Sequence, residues 1–103
     1  MVQLNIIVHQ KDIAEQMVNS LFEHQFLTEA AIIKPAEILR SNSGFKGEDS
    51  VIISGITKSL LFNEINNHLK EHFTNHPFTF YTTAIIDMDN DYRNKIRNET
   101  ASV

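Results

Sequence analysis

The chain opens on a strict alternation. Val2, Leu4, Ile6 and Val8 fall on one side, and Gln3, Asn5 and Ile7 on the other, followed by His9. A period of two turns successive side chains to opposite faces, so residues 2–8 are predicted to form a strand with one apolar face. The period then lengthens. Ile13, Ala14, Met17, Val18, Leu21 and Phe22 recur at helical spacing, which predicts a helix over about 11–26, with Asp12 and Glu15 offering a capping box at its start.

Ala30-Ala31-Ile32-Ile33 begins a second strand. Pro35 has no N–H to give to a ladder, so it marks an edge, a bulge or a break, after which the strand resumes through Ile38 and Leu39. The polar, turn-rich run 41–49 is predicted as a loop, with Phe45 its one large apolar residue. Ser50 to Ile56 is β-branched and mostly apolar, which predicts a third strand. Ser59 is placed to cap a second helix. Leu61, Ile65 and Leu69 form its stripe, and it is predicted to end near Phe73, ahead of His76-Pro77.

Residues 78–88 alternate over the longest stretch, with Phe78, Phe80, Thr82 and Ala84 on one face and Thr79, Tyr81, Thr83 and Ile85 on the other. Asp89 or Asn90 can cap a short last helix carrying Tyr92 and Ile96, and the polar run from Arg97 to Val103 is predicted to fray.

The resulting order is β-α-β-β-α-β plus a terminal helix. It specifies a single α+β domain over 1–103, a ferredoxin-like sandwich with a four-stranded antiparallel sheet and its helices on one face. The second sheet face has no helix assigned to it, and Ile7, Tyr81 and Ile85 are directed there. Large side chains on an uncovered face point to burial against another copy of the chain. An ordinary mixed surface is the alternative.

Composition narrows the function classes. A chain of 103 residues makes one domain with a thin core, and such domains often gain stability by oligomerising. There are no cysteines, which removes disulfides, thiolate metal sites and cysteine nucleophiles, and fits a reducing compartment. Met1 to Val8 holds no lysine or arginine and runs straight into a strand pattern, so it does not read as a signal peptide. No apolar run approaches the roughly 18 residues of a membrane helix. A cytoplasmic protein is the expectation. Nine scattered basic residues against thirteen acidic ones, a net charge of −4, disfavour nucleic-acid binding. Gly44, Gly47 and Gly55 match neither the dinucleotide nor the P-loop spacing.

Several local features resemble the CutA divalent-ion tolerance family, a relative of the PII signalling proteins. They are Ala14-Glu15 leading into the Leu21 stripe, the small-residue strand Ala30-Ala31-Ile32-Ile33, and Lys58-Ser59 where the family has Lys-Thr. His76-Pro77-Phe78 stands where the family has His-Pro-Tyr, and Asp89-Asn90-Asp91-Tyr92 resembles its last turn and helix. The family's cysteine after the first helix is absent, Phe45 is the nearest candidate for its loop Trp, and its Pro-Glu pair is replaced within Thr79-Phe80-Tyr81. The resemblance implies a trimer whose sheets pack around a central axis, with ligand clefts between subunits. It implies a non-enzymatic role in metal-ion tolerance or small-ligand signalling.

The histidines are the main candidates for chemistry. His68 and His72 are one helical turn apart, a spacing that can hold one metal ion, and His76 could fold back as a third ligand. Imidazole suits Cu, Zn or Ni. Histidines on the border of a core explain the same residues without a metal. Candidates for a ligand cleft are His9 at the end of the first strand, Lys58 at a strand-to-helix junction, Phe45, Tyr81 and Tyr92. Lys58 could bind an anion at a helix start, with an ordinary solvated lysine the alternative reading, and His24 reads as a solvated helix residue. Asp87, Asp89 and Asp91 lack the glycine and distal glutamate of an EF-hand and read as capping residues. No paired carboxylates or nucleophile arrangement emerges. Two rivals share the strand order: a dimeric regulatory module of the ACT type, and a small dimeric α+β-barrel enzyme.

Overall fold

The computed structural model describes residues 1–39, 41 and 47–103. Its elements are β1 (Val2–Val8), α1 (Lys11–Glu23), β2 (Ala31–Leu39), β3 (Gly47–Thr57), a 3-10 turn (Ser59–Leu61), α2 (Phe62–His72), β4 (Phe78–Ala84) and α3 (Asn90–Glu99). The four strands lie in the order β2-β3-β1-β4, with every pair antiparallel. This is the predicted α+β sandwich. The alternation in β1 does what its period requires. Leu4, Ile6 and Val8 are buried with Val51 and Ile53 of β3, beneath Ile13, Met17 and Leu21 of α1 and Ile65 and Leu69 of α2. At about 25 cal/mol per Å² of apolar surface removed from water, this single cluster is the main favourable contribution to folding.

Several boundaries differ from the pattern, each for a local reason. α1 stops at Glu23, short of the predicted end. Gln25 takes a left-handed φ of 57°, its N–H donates to the Phe22 carbonyl and the Phe26 N–H to the Leu21 carbonyl. These two bonds form a Schellman turn, and with a glutamine in place of the usual glycine nothing in the sequence marks it. The predicted capping box is not formed: Gln10 is the N-cap of α1 and makes no side-chain cap bond. Ser59 does not cap α2 either. It lies inside the 3-10 turn, with Lys58 before it.

β2 continues through Pro35, with a register shift between Ile33 and Ala36, so the proline sits at a bulge in an edge strand. β3 begins at Gly47, so the loop predicted over 41–49 gives up its last residues to the strand. β4 ends at Ala84 because Ala84 already pairs with Val2, the first residue of β1. Beyond it a bond from the Ile85 N–H to the Met1 carbonyl remains. Asp89 caps α3 as expected, its carboxylate accepting from the Tyr92 N–H at 3.0 Å.

The tail does not fray. Thr100 is buried and its hydroxyl donates to the Ile96 carbonyl, while the Ala101 N–H donates to the Gln25 carbonyl at 2.7 Å. Gly55 shows why one strand position admits no side chain. A Cβ there would come within 2.8 Å of Leu27 and 2.9 Å of the Glu29 carbonyl oxygen.

The sheet's second face carries a row of three isoleucines, one from each neighbouring strand: Ile33 opposite Ile52, and Ile52 opposite Ile7. Ile33 is 51% exposed. Next to this row the face turns polar, where Gln3 donates to Ser54 at 2.9 Å beside the largely buried Asn5.

Candidate functional site

Three imidazoles meet where the C-terminal ends of α1 and α2 come together. The ring centres of His24 and His68 are 4.3 Å apart, as are those of His68 and His72, and His24 lies 6.5 Å from His72. Phe26 closes the group, 5.7 Å from both His24 and His68. His68 is only 7% exposed and its Nε2 lies 2.5 Å from the Ser20 hydroxyl. The His24 Nδ1 is 2.9 Å from the Ser20 carbonyl, and the His72 Nδ1 is 3.0 Å from the His68 carbonyl. A carbonyl oxygen only accepts, so in both outer rings Nδ1 carries the proton and Nε2 keeps its lone pair when the ring is neutral. Burial pushes the His68 pKa down, and charge on His24 and His72 pushes it the same way, against a weaker opposing effect of Glu71. Its surroundings thus bias the inner ring toward the neutral form.

His68 and His72 are together as their spacing implied, but His76 is not with them. The chain leaves α2 at Phe73, and the His76 N–H donates to the Phe73 carbonyl in the turn leading to β4. His76 lines a small cavity of about 110 Å³ whose wall also includes His9. The third imidazole of the cluster is His24, which the sequence pattern assigns to a solvated helix face. Its only signal in the sequence is the i,i+4 relation to Ser20; the approach of α1 to α2 is a tertiary fact. Among the described residues, no three His, Asp or Glu side chains are placed to hold a metal ion. The outer rings spend Nδ1 on carbonyls and the inner one spends Nε2 on Ser20, so the cluster as it stands is a packed, hydrogen-bonded junction.

A cleft of about 640 Å³ opens at the other side of the 3-10 turn. Lys58, Arg93 and Arg97 supply its charge, and Leu60, Ile85 and Ile86 its apolar wall. Lys58 donates to the carbonyls of Ala101 at 2.8 Å and Thr100 at 3.4 Å, which fixes the tail as one side of the cleft. The two arginines are one turn apart on α3, an arrangement in which like charges oppose the helix by about 0.2–0.5 kcal/mol. The Arg93 Nε is buried and has no hydrogen-bond partner among the described residues. Such an unmet donor costs about 1–3 kcal/mol. Lys58 is legible in the sequence as an anion candidate. Arg93 and Arg97 are not singled out there, although their spacing on the last helix is a usable signal.

The remaining candidates are dispersed. The His9 Nδ1 is 3.2 Å from the Ser50 hydroxyl, in a cleft that also includes Lys11, Lys34 and Asp49. Lys34 is held below the ordinary lysine range, chiefly by its contact with Lys11. Tyr92 donates to Glu29 at 3.3 Å, and burial followed by the Glu29 charge raises its pKa. Lys95 pairs with the same carboxylate at 2.7 Å and holds the Glu29 pKa down. Tyr81 is 46% exposed on the second sheet face, opposite Asn5. Phe45 lies outside the described residues.

No protein-family model and no curated protein matches the sequence. Solved structures do. CutA1 from Oryza sativa superposes with a TM-score of 0.85 at 15% identity, over 99% of this chain and 94% of that one. The divalent cation tolerance protein CutA1 of Thermus thermophilus gives 0.83 at 16% identity, over 98% of this chain and 100% of that one. A point mutant of CutA1 from Pyrococcus horikoshii gives 0.81 at 20% identity, over 99% of this chain and 100% of that one. The chain has the CutA fold. The likeness spans nearly the whole of both chains in each comparison.

Proposed function

We propose that the protein acts as a non-enzymatic homotrimer in divalent metal-ion tolerance or small-ligand signalling, with its ligands held in clefts between copies. The observation that carries the assembly is the isoleucine row Ile33–Ile52–Ile7, partly open to water on a sheet whose other face holds the buried core. Covering such a row removes apolar surface from water, and a second copy of the same sheet is the nearest surface of matching pattern. The ion-tolerance reading draws on the CutA fold and on neighbours described as divalent cation tolerance proteins. A cytoplasmic setting, read from the absence of cysteine, is part of the proposal.

Light scattering on the purified protein tests the assembly. A mass three times that of the chain is expected; a stable dimer favours the ACT-type or barrel reading, and a monomer ends the proposal. Titration calorimetry with Cu²⁺, Zn²⁺ and Ni²⁺ tests the ions. Uptake that is weakened by His72→Ala supports the imidazole cluster, and uptake unchanged by His24→Ala, His68→Ala and His72→Ala together places it elsewhere.

A further inference from the structure

We propose that the cleft between Lys58 and α3 is a binding site for a phosphate monoester bearing an apolar substituent. Three cationic side chains, Lys58, Arg93 and Arg97, border one cleft on a chain whose net charge is −4. No Asp or Glu among the described residues lines it. Among the described residues neither arginine side chain has a hydrogen-bond or ion-pair partner, and the Arg93 Nε is enclosed by the protein with its proton unmet. An oxygen acceptor in the cleft meets the lining atoms of Arg93, and the enclosed Nε comes within its reach when the side chain turns. Guanidinium groups offer paired N–H bonds that match a phosphate's oxygens, and three positive charges suit a dianion better than a single carboxylate.

Lys58 donates to two tail carbonyls, and its third N–H is left to turn toward an anion. The Ser59 hydroxyl borders the same space. The opposite wall explains the substituent. Leu60 is 75% and Ile86 88% exposed, large apolar side chains standing in water beside a charged floor. A volume of about 640 Å³ falls within the usual range for small-molecule sites and leaves room for an organic group beyond the phosphate. The cleft is built within one chain, so this inference does not rest on the trimer.

The test uses the intact protein and phenyl phosphate as the probe, with inorganic phosphate and benzoate alongside. In ¹H–¹⁵N spectra, phenyl phosphate is expected to move the Arg93 Nε–H signal, a readout that needs no variant. In calorimetry it is expected to bind more tightly than either companion. Arg97→Gln removes a charged contact and is expected to weaken it about ten- to a hundredfold. Leu60→Ser is expected to erase the preference for phenyl phosphate over inorganic phosphate, and Lys70→Gln, on α2, to change nothing. Absence of binding, an unmoved Arg93 signal, or unchanged affinity in Arg97→Gln overturns the proposal. Benzoate binding as tightly as phenyl phosphate overturns the assignment to a phosphate ester.

Discussion

The two faces of the sheet are built from the same strands and the same period of two, yet they have different fates. On one, Leu4, Ile6 and Ile53 lie under α1 and α2 with no exposure at all. On the other, Ile7, Ile52 and Ile33 stand in a row that nothing among the described residues fully covers. The difference shows that burial is decided by what the connections bring over a face, and not by the residues on it. The first face explains why the chain folds. The second is the surface that the proposed assembly would cover.

The sharpest break between the faces comes from truncation. Ile53→Ala leaves a cavity in the closed core and is expected to lower stability by about 2–5 kcal/mol in urea unfolding followed by circular dichroism. Ile52→Ser, one residue along on the open face, is expected to leave each chain folded and to reduce the mass measured by light scattering. If Ile52→Ser unfolds the chain as severely as Ile53→Ala, the two faces are not distinct. Gly55→Ala probes the closed side by overfilling. Its methyl meets Leu27 and the Glu29 backbone, and a loss of about 1–3 kcal/mol is expected by the same measurement.

A smaller effect comes from pH. The His68 pKa is depressed in the folded chain, so below the ordinary histidine value near 6.5 the unfolded chain binds the proton first. Stability is therefore complete above that pH and falls as pH drops from it toward the depressed folded value. His68→Gln should flatten this part of the profile, and a slope unchanged in that variant would assign it to other groups. The smallest effect is a gain: Gln25→Gly relieves a left-handed residue and is expected to add up to about 1 kcal/mol, read as a higher unfolding midpoint.

How much of this is legible in the sequence depends on the range of the interaction. β1 and the capping role of Asp89 come directly from short patterns, because a period of two and a single side-chain cap are local physics. The end of α1 is hidden because a Schellman turn closed by Gln25 has no glycine to announce it. The end of β4 is hidden because it is set by where β1 begins. The site divides the same way. Lys58 is visible at a strand-to-helix junction, but its association with Arg93 and Arg97 needs α3 to fold back across the end of the sheet. His68 and His72 are visible as a helical pair, while His24 joins them only through the meeting of two helices, and His76 leaves in the turn.

The bulge in β2 has a geometric consequence. Between Ile33 and Ala36 the strand advances three residues while β3 advances two, from Ile52 to Ser50. The extra residue reverses the strand's phase. Odd-numbered Ile33 and even-numbered Ile38 therefore share one side, and the greasy stripe continues past the point where simple alternation would have turned it under. The same slip interrupts the regular spacing of N–H and C=O groups along an outer edge, making it a poor template for endless strand addition. One inserted residue lengthens the apolar stripe and works against open-ended fibre growth.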